Sequence, residues 1–249
     1  MDSRQEHLIV ERADDFLWIT INRAEKANAM TVAIMEGITA AIRAGASDPT
    51  VKAVLLTAAG ARVFSGGADV REQPEDGDMA RQRERRSQAL AALQDAVMDN
   101  PVPVVTALNG IASGGGAMLA LLSDACVAAD AASLSLPEID LGIPTFSGAN
   151  ILEVIGGRAL ALDLIQTGRR MSAREALTRG LVAAVVPADE LKHAATVLAT
   201  TLGAKERRVF ADNKHWINRQ LKAALSEARA EHARHRKAIA KGEAQSLPR

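Results

Sequence analysis

The fold is set out most clearly in residues 102–122, which read VPVVTALNGIASGGGAMLALL. Residues 102–108 are almost wholly apolar, as in a strand that is covered on both faces. Residues 109–116 form a glycine-rich turn, and the apolar residues 117–122 begin a helix. A strand, a tight turn and a helix in this order predict an α/β core with parallel strands.

A loose version of the same unit recurs roughly every 45–50 residues, and such a unit cannot bury its own apolar face alone. Further strands are predicted at 17–21, 51–57, 63–64, 126–129, 133–136 and 181–186. Helices are predicted after the caps Thr31 and Ser172, and over 89–98 and 151–166. We therefore expect a core of stacked units in residues 1–189 and a helical layer in residues 190–249.

Two segments are expected to lack regular structure. Residues 71–87 carry five acidic and five basic side chains with no apolar periodicity, so we expect an exposed loop or a frayed helix there. Residues 137–148 are also predicted to be irregular.

Composition excludes several classes of protein. The 249 residues are 48% apolar and 24% charged, which excludes broad disorder. Thirty basic residues balance thirty acidic ones, which argues against a partner held by bulk charge, such as nucleic acid or an anionic membrane. The single cysteine, Cys126, excludes an internal disulfide and a cysteine-based zinc site. With no long apolar run and no signal-like start, the sequence predicts a soluble, cytoplasmic protein.

Two glycine-rich turns are the candidate binding elements. One is Phe64-Ser65-Gly66-Gly67-Ala68-Asp69, and the other is Ser113-Gly114-Gly115-Gly116-Ala117. Unpaired N–H groups at such turns bind phosphates or oxyanions, and glycine lets a ligand approach the backbone. The same glycines also suit tight packing of a strand against a helix. Neither turn matches a P-loop or a dinucleotide-binding motif.

The side chains near these turns leave few candidates for catalysis. Ser113 lacks the first glycine of the hydrolase motif G-x-S-x-G, and residues 8–192 contain no histidine. A serine hydrolase is therefore disfavoured. Glu138 follows Pro137 at the end of a predicted strand, where it is either a carboxylate aimed at a cleft or a surface acid.

The motifs taken together resemble the crotonase, or enoyl-CoA hydratase/isomerase, superfamily across residues 8–249. The matching stretches, in order, are Asn22-Arg23 with Asn28-Ala29-Met30, then 64–70 (FSGGADV), 109–116 (NGIASGGG), 137–144 (PEIDLGIP) and 167–173 (TGRRMSA) with Gly180-Leu181-Val182. The resemblance implies a ββα spiral core with a C-terminal helical region.

The resemblance also implies a site. The substrate would be an acyl-CoA thioester, with no separate cofactor and no metal. Its carbonyl oxygen would be held by the N–H groups of Ala68 and Gly115. The CoA moiety would lie near Lys26 and Ala27, and near the segment Ala68-Asp69-Val70-Arg71. The arginines at 81, 83, 85 and 86 either meet CoA phosphates or form a solvated face. Helical C-terminal regions of this kind commonly assemble trimers or hexamers, so we expect a homo-oligomer.

One departure from the family pattern bears on the reaction. Standard hydratases use two glutamates, and this chain keeps one, Glu138, but has Met118 at the other position. Because one carboxylate suffices to move a double bond, the sequence favours isomerisation. The alternatives are a hydratase or lyase with a non-standard second acid, such as Asp69 or Asp140, and an inactive CoA-binding scaffold. We also expect Phe146 to reshape the acyl pocket.

Overall fold

A computed structural model describes residues 7–74 and 76–240 of the chain. The strands are β1 (Leu8–Ala13), β2 (Phe16–Ile21), β3 (Ala53–Ala58), β4 (Val63–Ser65), β5 (Val104–Leu108), β6 (Ile111–Ser113), β7 (Ala125–Ala129), β8 (Ser133–Ser135), β9 (Met171–Ser172) and β10 (Ala184–Val186). The helices are α1 (Val32–Ser47), α2 (Met79–Asp99), α3 (Gly115–Leu122), α4 (Phe146–Gly156), α5 (Arg158–Thr167), α6 (Ala173–Thr178), α7 (Leu191–Gly203) and α8 (Arg207–Ala240).

The larger sheet has six strands in the order β1-β2-β3-β5-β7-β10. All neighbours are parallel except β1 and β2, which form an antiparallel hairpin at one edge. Strand β5 is buried along its whole length, and β3 is buried at all but Thr57. Their apolar sequences are therefore explained by cover on both faces, as predicted.

The smaller sheet has four strands in the order β4-β6-β8-β9. Strand β6 lies inside the segment 109–116, for which the sequence predicted only a turn. Its three residues pair with β4 on one side and β8 on the other. A three-residue strand between glycines carries too little pattern to be seen in sequence. The parallel pair β4 and β6 places the two glycine-rich turns side by side.

Both alternatives predicted for residues 71–87 occur: residues 71–74 and 76–78 form a loop, and the rest of the segment is helical, as part of α2. Helix α2 begins at Met79, with the Asp78 side chain accepting a hydrogen bond from the Arg81 N–H (2.9 Å). The start of α2 could not be predicted from apolar periodicity, because its first two turns are rich in charged residues and the buried side chain there is the polar Gln82. The segment 137–148 is more regular than predicted: it holds a 3-10 helix, Pro137–Leu141, and the start of α4.

The helices beyond residue 190 pack on the core. Helix α7 lies against β3, β5 and β7, and α8 crosses α4 and α2. The buried Lys214 joins α8 to Asp124, at the start of β7, by an ion pair of 2.6 Å. The predicted division of the chain at residue 189 stays a prediction. The last residues of the predicted helical region, 241–249, lie outside the described part of the chain. None of the described helices is long and apolar enough to cross a membrane.

Candidate active site

The two glycine-rich turns meet at Ala68 and Gly115. A Cβ atom on Gly115 would lie 3.5 Å from the Ala68 nitrogen, and one on Gly67 would lie 2.9 Å from the Ser113 carbonyl oxygen. Such spacing requires glycine at position 67, because a real Cβ does not approach a backbone oxygen so closely. Within the described chain, neither the Ala68 N–H nor the Gly115 N–H donates to a protein acceptor. The turns thus present two unpaired backbone donors close together.

Asn28 fixes the first of these turns. It is fully buried, and its amide nitrogen donates to the carbonyl oxygens of Ala59 (3.0 Å) and Val63 (2.7 Å). The Ser65 hydroxyl donates to the Asn28 carbonyl oxygen (2.9 Å) and accepts from the Gly67 N–H (3.1 Å). This network holds the backbone that leads into Ala68, and an oxyanion site requires donors that are fixed in place.

Asp69 belongs to the same scaffold. The Arg23 guanidinium donates to its carboxylate (2.7 Å) and to the Ala29 carbonyl oxygen (3.0 Å), while Arg86 donates to the Asp69 carbonyl oxygen (2.8 Å). Burial raises the pKa of Asp69, but the hydrogen bonds from Arg23 and from the Arg71 N–H, together with the charges of Arg23 and Arg86, outweigh burial and leave that pKa below its ordinary value. Asp69 is therefore an ionised structural carboxylate.

Glu138 lies at the second turn. It occupies the 3-10 helix after β8, and its Oε1 atom lies 3.1 Å from where a Cβ on Gly114 would be. Its Oε2 atom is buried and has no hydrogen-bond partner among the described residues. Burial raises the pKa of Glu138 above its ordinary value. A carboxyl group with these properties is suited to accept and return a proton.

A cavity of about 230 Å³ opens onto Glu138. Helix α2, the segment of the first turn, the 3-10 helix, the loop before α4 and helix α8 supply most of its walls, whereas Gly115 and the rest of the second turn are not among the lining residues. Its lining residues are Ala68, Val70, Arg83, Arg86, Ser87, Leu90, Ala91, Gln94, Met118, Glu138, Ile143, Pro144, Thr145, Ser147, Arg229 and His232. Among these, Glu138 alone carries a carboxylate. A larger cavity of about 590 Å³, lined mainly by α3, α7 and α8, contains neither glycine turn.

The other predicted site residues fall at different distances from this cavity. Ala68, Val70 and Met118 line it. Lys26 and Ala27 are exposed beside the first turn, where the Ala27 carbonyl oxygen accepts from the Gly66 N–H (2.8 Å). Arg71 is exposed and outside the lining.

Phe146 does not line the cavity. Its ring packs edge-on against His232, with 4.8 Å between the ring centroids, and His232 does line it. Phe146 therefore supports a cavity-lining residue rather than lining the cavity itself.

Two lining residues from α8, Arg229 and His232, were not among the predicted site residues. Burial, followed by the charge of Arg236, lowers the pKa of His232 to about 4, so it is neutral at physiological pH. Its Nε2 atom lies 3.5 Å from the Ser147 N–H nitrogen. No local motif marks either residue, because only the return of α8 across α4 brings them to the cavity. Ser113, which was considered above for a serine hydrolase, shares a hydrogen bond with Ser135 (2.9 Å).

The geometry can now be set beside known proteins. The model of the family "Enoyl-CoA hydratase/isomerase" matches residues 11–246. The chain belongs to this family. The "Probable enoyl-CoA hydratase echA8" of Mycobacterium tuberculosis is 36% identical over 223 residues, covering 89% of this chain and 85% of that protein.

Solved structures of the enoyl-CoA hydratase/isomerase family share the fold. An enoyl-CoA hydratase from Mycobacterium avium subsp. paratuberculosis superposes with a TM-score of 0.82 at 31% identity, covering 94% of each chain. Human enoyl-CoA hydratase domain-containing protein 3 gives 0.78 at 26%, covering 90% of this chain and 91% of that one. The crotonase resemblance and the α/β class with a helical C-terminal region are confirmed, and the chain is an acyl-CoA enzyme. The names of these relatives say hydratase and do not favour an isomerase.

Proposed function

We propose that this enzyme moves a carbon–carbon double bond along an acyl-CoA thioester, with Glu138 as its single proton-transferring group. One observation carries the proposal: among the described residues that line the cavity, Glu138 is the only acid, and Met118, at the position where the family resemblance implies a second glutamate, also lines it. A thioether cannot donate or accept a proton in such a reaction.

The proposed reaction needs no group that the site lacks. The ionised Glu138 takes a proton from a carbon next to the double bond, and the electron pair of that C–H bond shifts toward the thioester oxygen. The N–H groups of Ala68 and Gly115 would stabilise the resulting enolate, where one lost donor typically costs about 2.7–4 kcal/mol. The protonated Glu138 then delivers a proton to the other end of the conjugated system, either the one it took or one exchanged with solvent on its carboxyl group. Its raised pKa favours this return.

Hydration is the second candidate, because the relatives named above are hydratases. It requires a second group to handle a proton. Asp69 is paired with Arg23, and Asp140 is exposed, so neither is placed for that role. His232 is the remaining neutral titratable group of the cavity wall. A hydratase would therefore use Glu138 with His232.

Mass spectrometry in heavy water distinguishes these reactions. The pure protein is incubated with 2-enoyl- and 3-enoyl-CoA thioesters, beside Glu138→Gln and the control Asp140→Asn, which alters an exposed acid on the same 3-10 helix. A moved double bond with carbon-bound deuterium, lost only in Glu138→Gln, is the expected result. Added heavy water across the double bond, lost in His232→Gln, would identify the hydratase instead. No turnover with intact CoA binding would indicate the scaffold.

The proposal extends to CoA and to assembly. Lys26, Ala27 and the backbone of residues 68–71 are proposed to contact the CoA moiety, because they surround the first turn. Helix α8 exposes Trp216 (68%) and Ile217 (73%), which are large apolar side chains suited to a subunit contact. We propose a homotrimer or hexamer, which sedimentation velocity of the full chain tests directly.

A further inference from the structure

The side chains that helix α2 contributes to the cavity wall change in polarity along the helix. Five of its cavity-lining residues recur at helical spacing and change in character along the helix: Arg83, Arg86, Leu90, Ala91 and Gln94. The first two are cationic, the next two are apolar, and the last is an amide. The cavity is therefore polar at both ends and apolar in the middle.

The apolar middle lies at the proposed reaction centre. The Leu90 Cδ1 atom is 3.3 Å from where a Cβ on Gly115 would be, which places it beside the proposed oxyanion donors. Gln94 is one helical turn further, about 6 Å along the axis. An extended chain advances about 3.5 Å for every three bonds, so about five bonds span that distance. Counted from the thioester carbon, C1, the first four bonds of an acyl group reach C5. The fifth bond therefore ends on a substituent of C5.

Hydrogen-bond donors at this far end are poorly satisfied. Gln94 is 3% exposed, and among the described residues its amide nitrogen has only the Met118 sulfur as an acceptor, at 3.5 Å. Thioether sulfur is a weak acceptor. Arg229 contacts Gln94 Oε1 (3.1 Å), yet its buried Nε–H has no acceptor among the described residues. Buried donors without acceptors are costly, so a ligand that supplies an acceptor is favoured here.

The charge at this end is already balanced. Both Nη groups of Arg229 donate to the Asp95 carboxylate, at 2.9 and 3.0 Å, and His232 is neutral. An acceptor without charge therefore fits better than a carboxylate. The volume of about 230 Å³ is below the range of roughly 300–1,000 Å³ usual for ligand pockets, so the group is short.

We propose that the enzyme acts on short acyl-CoA thioesters whose chain carries an uncharged oxygen, a hydroxyl or a carbonyl, near C5, bound by Gln94 and Arg229. This inference rests on the proposed acyl-CoA function but not on which reaction the enzyme performs.

Calorimetric binding of saturated thioesters tests the inference without any turnover. Hexanoyl-CoA, 5-oxohexanoyl-CoA and adipoyl-CoA differ in the far end of the chain but share its length. We expect 5-oxohexanoyl-CoA to bind about three- to tenfold more tightly than hexanoyl-CoA, the worth of one buried hydrogen bond. Equal or tighter binding of hexanoyl-CoA would overturn the proposal, and tightest binding of adipoyl-CoA would overturn the uncharged class.

Variants of Gln94 and Arg229 test whether these two residues cause the preference for 5-oxohexanoyl-CoA. Arg229→Lys keeps the charge beside Asp95 but removes the Nε–H, and Gln94→Leu removes the amide. Each should lower the ratio of the two affinities toward one. Arg234→Lys is the matched control, since Arg234 lies on the same helix, donates to Glu231 (2.8 Å) and does not line the cavity. A preference that survives both cavity variants would refute the assignment.

The ratio also separates this proposal from the proposed function. The ratio compares the affinities of two ligands for the same protein. Misfolding of part of a variant sample affects both measurements equally and does not change the ratio. If neither thioester nor free CoA binds the wild-type protein, the acyl-CoA function itself is wrong. If both bind but no double bond moves, the isomerase proposal fails while the affinity ratio still decides the acyl class.

Discussion

The Oε1 atom of Glu138 lies only 3.1 Å from the point where a side chain on Gly114 would begin. Gly114 also has φ of +52°, in the left-handed region that favours glycine. Two independent reasons thus keep this position free of a side chain. The proposed base and the proposed oxyanion donor Gly115 are held next to each other by this one residue.

Gly114→Ala should reduce activity more than stability. The new methyl group would displace the Glu138 carboxylate, and a misplacement near 1 Å lowers turnover by up to about a hundredfold. The positive φ would add a loss of stability, because residues with a Cβ atom rarely adopt it. Gly180→Ala is the matched control, since Gly180 has φ of +72° with open space around it. Steady-state kinetics and thermal unfolding of both variants would check this, and equal turnover would contradict it.

Glu138→Gln should stabilise the protein at neutral pH while abolishing turnover. Because burial raises the pKa of Glu138 above 4.5, the folded state binds more protons than the unfolded state as pH rises past 4.5, and stability falls there. The variant removes that loss, so its advantage should vanish below pH 4.5. Denaturant unfolding at several pH values measures this. An advantage that persists at low pH would show that another cause operates.

The same raised pKa predicts the pH dependence of the wild-type reaction. A base must be ionised, so kcat/KM should fall with decreasing pH through a midpoint above 4.5. A midpoint at or below 4.5 would mean that Glu138 is not the titrating base.

Asn28→Ala should destabilise the fold on the order of 3 kcal/mol, because its buried amide satisfies backbone groups of Arg23, Ala59 and Val63. Alanine also disfavours the φ of +50° found there. Turnover should fall too, since the Ala68 N–H loses its support. Asn150→Ala, which removes one bond to the Ala224 carbonyl oxygen, is the control and should cost less. Urea unfolding measures the free energy of unfolding of both variants, and an equal loss in the two would contradict the prediction.

Lys214→Met should cost about 3–5 kcal/mol by leaving the buried Asp124 carboxylate without its partner. Burial already raises the pKa of Asp124 despite the lysine. Lys214→Met with Asp124→Asn should recover part of the loss, since an amide oxygen still accepts from the Val104 N–H. Lys222→Met is the control: Lys222 and Asp99 are each about two-fifths exposed, and such pairs contribute about 0–1 kcal/mol. Equal losses in the two single variants would refute the argument.

Features that depend on neighbouring residues could be predicted from the sequence. The caps Thr31 and Ser172 accept the predicted hydrogen bonds from the N–H groups of Ile34 and Glu175. The buried parallel strands follow from continuous apolar runs. The glycine turns could be seen in the sequence itself, whereas the proposed roles of Glu138 and Met118 depend on the resemblance of their surroundings to the crotonase family.

The tertiary structure alone decided what faces Glu138 across the cavity. Arg229 and His232 lie 91 and 94 residues beyond it in sequence, and α8 brings them back by packing on α4 and α2. The charged start of α2 became a cavity wall for the same reason, although its pattern resembled that of an exposed loop. Local sequence sets backbone preference and burial, whereas the surroundings of a side chain depend on contacts between distant segments. The sequence therefore determined the fold and the proposed base, and long-range packing determined the pocket in which that base lies.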